Sequence, residues 1–198
     1  MHIVKKVQGK IMPSKYDETD LKIIKSLSRD CRKSTTQIAK EVGISRPTAI
    51  VRLKHLMESR LVDLGAKVNV VNMGFKMALL NLETDRIEAK QELLNKIKAC
   101  PRVLQLVQTI EKPCFVALVS AENAETLLST VECLKSVLDA RILSWQRVKP
   151  IIGESFDLKI MLEKCDLTPC GKKCGVCSNY QESECVGCPA TKEYKGPL

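Results

Sequence analysis

The sequence predicts an α+β protein in three parts: an amino-terminal winged helix-turn-helix, a ferredoxin-like βαββαβ domain and a small cysteine-rich loop module. Three observations carry this prediction. Helical periodicity between residues 18 and 57 is interrupted by a glycine flanked by capping residues. From residue 77 onward strand-like and helix-like segments alternate. Six of the chain's ten cysteines fall between residues 165 and 188. The expected boundaries are a basic extension at 1–16, the helix-turn-helix at 17–64, a linker strand at 65–76, the ferredoxin-like domain at 77–152 and the cysteine-rich tail at 153–198.

Composition narrows the class. With 44% hydrophobic and 28% charged residues in 198, the chain is globular in character. No apolar run approaches the roughly 20 residues of a spanning helix, and MHIVKKVQGK lacks the features of a secretory signal. The expectation is a cytoplasmic protein with no membrane partner. In that compartment thiols stay reduced, so clustered cysteines suit metal binding or redox sensing better than disulfides. The net charge is +9, and residues 1–76 hold all of it, with 16 Lys and Arg against 7 Asp and Glu. A basic segment beside a neutral one is the electrostatic footprint of polyanion binding.

In the first domain Asp17 is placed to cap a helix over about 18–29, with Leu21, Ile24 and Leu27 at helical spacing. Ser34 and Gln37 have the spacing of a capping box for a second helix, whose apolar face is Ile38, Ala39 and Val42. Gly43 ends it in a conformation that glycine tolerates. Ser45 caps the third helix, and Pro47 sits in the first turn, where a missing N–H costs little. On that helix Ile50, Leu53, Leu56 and Met57 are expected inward, and Thr48, Val51, Arg52 and His55 outward. Such a helix offers its amino end and outward face to the major groove of double-stranded DNA. Ser45, Arg46, Thr48, Val51, Arg52, Lys54 and His55 are therefore the DNA-binding candidates. Arg46 and Arg52 can donate to guanine, Thr48 and Val51 can touch base edges or a thymine methyl, and Lys54 and Lys40 suit phosphates. Residues 61–71 read as extended, a wing or linker strand.

Beyond Lys76 the segments 77–83, 102–110, 114–120 and 140–152 read as strands, and 87–100 and 123–139 as helices. Leu127, Leu128, Val131, Leu134 and Val137 or Leu138 are the expected inward face of the second helix. Such a sheet leaves one face and an edge uncovered, which implies at least a homodimer. Cys31, Cys100, Cys114 and Cys133 are scattered and read as small core residues.

At this point the chain resembles the leucine-responsive regulatory protein/asparagine regulator (Lrp/AsnC) transcription factors. The matching stretches are DETDLKIIKSLSRDCRKSTTQIAKEVGISRPTAIVRLKHLMESRLV, the linker ending VNMGF with Gly74, and the βαββαβ domain with CPRV before its second strand. The resemblance covers about residues 17–150. It implies a DNA-binding amino half and a carboxyl half that oligomerises and often binds an amino acid between dimers. The family's glycine and aspartate between the second and third strands are replaced here by TIEKPCF. A turn without its glycine is poorly suited to hold a zwitterion. Thr109 and Glu111 are the remaining candidate contacts for a small-molecule effector.

The tail reads C-x4-C-x3-C-x2-C-x7-C-x2-C, formed by Cys165, Cys170, Cys174, Cys177, Cys185 and Cys188. Paired thiols at this spacing suit tetrahedral metal sites, and so short a loop segment needs such a staple. The segment holds no histidine, so the choice lies between zinc, which Cys174, Cys177, Cys185 and Cys188 could hold, and an iron–sulfur cluster, suggested by the Cys170, Cys174, Cys177 run with Cys188-Pro189. Zinc is the first expectation and the cluster the alternative. The tail also resembles cysteine-rich modules ending in a CxGCP-type sequence. Six thiols exceed the four that one site needs, as a metal or oxidant sensor would require.

The expected function is sequence-specific transcription regulation, responsive to metal or redox state through the tail. Two alternatives use the same architecture: a sirohaem-decarboxylase-like enzyme, and a regulator whose tail is only a protein-interaction module. The enzyme would want histidines and clustered arginines in the second domain. No histidine follows His55, and Arg86, Arg102, Arg141 and Arg147 are dispersed.

Overall fold

The computed structural model describes residues 16–83, 90–109, 114–138 and 141–198. The chain divides into two compact units, Met1–Gly65 and Ala66–Leu198. The cysteine-rich tail is therefore part of the second unit and not a body of its own. The basic extension lies outside the described residues, apart from its last residue.

The first unit consists of α1 (Glu18–Arg29), α2 (Thr35–Val42) and α3 (Arg46–Glu58). Each begins where a side chain satisfies orphan backbone donors. Asp17 and Asp20 form a reciprocal capping box on α1, as do Ser34 and Gln37 on α2, and the Ser45 hydroxyl accepts from the Thr48 N–H. Gly43 closes α2 at φ +78°, a left-handed turn that any larger residue would adopt only under strain. Ile23, Leu27, Ile38 and Leu56 form the core, with Leu53 and Val62 packed against it.

Three expected core residues are displaced from it. Leu21, Ile50 and Met57 are exposed, while Ile23 and Ala49 are buried. On α3 the inward row is Ala49, Leu53, Leu56, spaced i, i+4, i+7. Ile50 and Met57 follow that row by one residue and are rotated about 100° out of it. Residues 61–67 form no strand, so the wing expected next to α3 is absent among the described residues.

The second unit holds β2 (Lys76–Glu83), α4 (Lys90–Ala99), β3 (Val103–Gln108), β4 (Cys114–Ala121), α5 (Ala124–Leu138) and β5 (Arg141–Val148). The strands pair antiparallel in the order β3-β4-β2-β5. Alternation sends Ala78, Leu80 and Leu82 to the helical side, where they meet Ile97, Phe115, Leu127, Val131 and Leu134. Leu128, expected in this core, is exposed; buried Thr126, Ser129 and Thr130 flank it. Two-residue strands, β1 (Val68–Asn69) and β6 (Ser155–Phe156), form a small ribbon, so the linker pairs with the chain beyond β5. Around it Val70, Phe75 and Met77 pack with Leu104, Leu118 and Val148 at one end of the sheet's other face. On the two edge strands Val107 of β3 and Leu143 and Trp145 of β5 remain exposed, Trp145 on the helical side opposite Leu80. Ile87 and the turn at 110–113 lie outside the described residues.

Candidate nucleic-acid interface and thiol-lined cavity

The amino end of α3 is open to a ligand because of how it is capped. Ser45, with β-region backbone, bonds Thr48 through both backbone N–H and hydroxyl, the two oxygens being 2.7 Å apart. Ser45, Arg46, Thr48, Val51, Lys54 and His55 are all exposed, Val51 at 67%. Thr48, Val51, Arg52 and His55 share a shallow depression with Pro47 and Asp20. An apolar valine held in water on a basic helix is the unusual feature of this strip. Lys54 makes only a loose i,i+4 pair with Glu58 at 3.7 Å, and leaving it for a phosphate costs little.

Arg52 has acidic partners within the unit that the sequence did not suggest. Its Nη1 donates to Asp17 Oδ2 at 2.6 Å and to Asp20 Oδ1 at 2.9 Å. Asp20 is buried. The guanidinium thus ties α3 to the capping box of α1 while lining the same depression as Thr48, Val51 and His55. The Asp17 carboxyl is held below its usual range, first by the Asp20 backbone N–H and then by Arg52.

The tail is folded against the ferredoxin-like domain. Its ends are clasped: the Cys165 N–H donates to the Ala190 carbonyl at 2.9 Å and the Lys192 N–H to the Cys165 carbonyl at 3.1 Å. Between them lie a short 3-10 turn, Cys174–Val176, and α6 (Ser178–Gln181). Gly187 turns the chain at φ +85°, and a side chain there would stand 3.0 Å from the Glu193 carbonyl. The lobe lies on the polar side of α5. The Val186 N–H donates to the Thr126 hydroxyl at 3.2 Å, Asn179 to Ser129 at 3.0 Å and Lys172 to Ser136 at 2.6 Å. Beneath it, buried Arg102 pairs with Glu122 at 2.9 Å and donates to the Gly187 carbonyl, while the Tyr194 hydroxyl reaches Glu122 at 2.6 Å.

This packing encloses a cavity of about 100 Å3. Five of the six tail cysteines line it, Cys165 being the exception, and Cys100 and Cys133 join them from the domain. The spacing of Thr126, Ser129, Thr130 and Cys133 on α5, one helical row of small polar residues, was the sequence signal for this second buried face. The Thr168 hydroxyl lies 3.1 Å from Cys170 Sγ, and the neighbouring Cys133 thiol favours the thiolate on Cys170 while keeping its own proton. Burial pushes the thiols of Cys100, Cys174 and Cys188 up, Cys188 to about 12. The Cys188 N–H donates to Cys174 Sγ at 3.3 Å. Among the described residues, no three Cys, His, Asp or Glu groups converge as a single metal ion requires. Two buried polar side-chain atoms among the described residues lack a partner, Arg102 Nε and Glu193 Oε2.

Of the effector candidates, Thr109 is half-buried just beyond β3 and Glu111 lies outside the described residues. No helix among the described residues is long and apolar enough to cross a membrane.

A capped three-helix unit with an exposed third helix, in one chain with an antiparallel βαββαβ domain, defines the class: a DNA-binding transcription regulator. Comparison with known proteins agrees. The AsnC-type helix-turn-helix domain matches residues 17–57. The HTH-type transcriptional regulator Ptr1 of Methanocaldococcus jannaschii is 34% identical over 115 residues, which span 56% of this chain and 76% of that protein. LrpA of Pyrococcus horikoshii is 28% identical over 116 residues, 58% of this chain and 82% of its own length. The crystal structure of the leucine response regulatory protein of Mycobacterium tuberculosis superposes with a TM-score of 0.62 at 15% identity, covering 70% of this chain and 97% of that one. The chain belongs to the Lrp/AsnC family of transcription regulators, and the enzyme alternative falls away. Close to a third of it lies outside the fold shared with the mycobacterial protein.

Proposed function

We propose that the chain binds a pseudo-palindromic duplex as a dimer or higher homo-oligomer, and that metal held by the C-terminal lobe adjusts its affinity. Arg46, Thr48 and Val51 make the base contacts, with His55 at the edge of the same depression, and Lys54 and Lys40 contact phosphates. The observation that carries the reading is the exposed strip on α3, in the part of the chain that holds the whole positive excess. Phosphate contacts supply affinity and salt dependence, while the strip supplies discrimination. Dimerisation uses the β5 edge of the sheet, where Leu143 and Trp145 are exposed.

The lobe rests on α5, and α5 rests on that same sheet. A metal ligand that prefers one seating of the lobe shifts the population of assembly states, and with it operator affinity. Fluorescence anisotropy with labelled promoter fragments tests both parts at matched salt. Arg46→Ala should lose roughly ten-fold or more in discrimination between operator and unrelated duplex. Metal-loaded and chelator-stripped protein should differ in operator affinity. Equal affinities would remove the lobe's regulatory role, and equal binding of all fragments would remove sequence-specific reading.

A further inference from the structure

We propose that the cavity between the C-terminal lobe and α5 seats a polynuclear iron–sulfur cluster, shared between the lobe and the ferredoxin-like domain. This deepens the reading of the lobe as metal-bearing and rests on it.

The first argument is geometric. A zinc ion with bonds of about 2.3 Å gathers its four sulfurs about 3.8 Å apart. No three such groups converge that way among the described residues. A cluster interposes its own sulfides between the irons, so its cysteines stand around a core instead of meeting at a point. Seven cysteines around an enclosed space of about 100 Å3 match that second arrangement. The Cys170, Cys174, Cys177 spacing with Cys188-Pro189 matches it in sequence.

The second argument concerns donors. Arg102 lines the cavity, its side chain is 9% exposed, and its Nε lacks a partner. A buried N–H of this kind is costly unless something accepts from it. Thiolate and sulfide sulfurs accept such bonds, and hydrogen bonds to sulfur tune clusters. The Cys188 N–H already donates to Cys174 Sγ at 3.3 Å.

The third argument is charge. A four-iron, four-sulfide core of charge about +2 with four thiolates carries about −2. Lys96, Lys172 and Lys173 line the cavity and offset it, the charge of Arg102 being matched by Glu122. Cys100 and Cys133 then belong to the cavity wall and are not inert packing residues. A group seated there would hold the lobe on α5.

The test uses the full chain, purified without oxygen and incubated with equal ferrous and ferric iron plus inorganic sulfide. Two ions of each iron and four sulfides assemble a core of charge about +2, and four thiols release their protons. The expected product is brown, with about four iron and four sulfide per chain. Cys188→Ser should lose the colour, whereas Cys165→Ser should keep it. Alkylation in mild denaturant, which opens buried thiols to the reagent, read by mass spectrometry, should find Cys100 and Cys133 protected in the loaded chain and reactive in the stripped one. Exposed Cys31 should react in both. A colourless chain carrying about one zinc would overturn the cluster and leave the metal-bearing lobe standing. A chain that takes up neither metal would overturn both. A cluster that leaves Cys100 and Cys133 equally reactive in both states would overturn the shared seat.

Discussion

Arg52 on α3 donates through Nη1 to Asp20 on α1 at 2.9 Å, and the same nitrogen reaches Asp17 at 2.6 Å. One guanidinium therefore ties the third helix to both halves of the first helix's capping box. Arg52→Ala should lower the Tm of the DNA-binding unit by several degrees, because it strands the buried Asp20 carboxylate. Duplex binding should weaken uniformly across base substitutions in the operator. A loss confined to one base position in a saturation series would instead make Arg52 a base reader.

Acid should unfold the first unit in a defined window. The Asp17 carboxyl lies below its ordinary 3.8, chiefly through the Asp20 N–H and then Arg52. The Glu41 carboxyl lies below 4.5, through Lys33 and then Ser26. With folded values depressed, the unfolded chain takes up protons first as pH falls. The contribution of these groups is complete above pH 4.5 and is lost as pH drops below 4.5 and 3.8 through the lower folded values. Helical circular dichroism against temperature, at steps of pH, should give a flat Tm above this window and a falling one within it. Asp17→Asn should flatten the fall.

The lobe's seat on α5 should depend on Thr126, fully buried and accepting from the Val186 N–H at 3.2 Å. Thr126→Val keeps the shape and removes the acceptor, at a cost of about 1–3 kcal/mol. Hydrogen exchange in residues 165–198 should accelerate roughly ten-fold or more, with β2 and β4 unchanged. Unaltered exchange in the lobe would mean that other contacts hold it.

What the chain alone determined was local. Asp17, Ser34 and Ser45 act on backbone groups three residues away, and Gly43 acts on its own φ, so helix starts and stops were legible from neighbours in sequence. The charge excess and the run of six cysteines are properties of composition and need no fold to be seen.

Tertiary structure decided what depends on partners far apart along the chain. Periodicity marks an apolar stripe but not its centre, so Ile50 and Met57 were expected inside while Ala49 holds the contact. That Arg52, a groove candidate, also holds Asp17 35 positions away is visible only in the folded chain. Cys100 and Cys133 looked like packing residues until the lobe closed over α5 and set them around one cavity with Cys174 and Cys188. Capping and turn energies are settled within a few residues, whereas ion pairs and enclosed cavities exist only once chain closure has been offset by burial elsewhere.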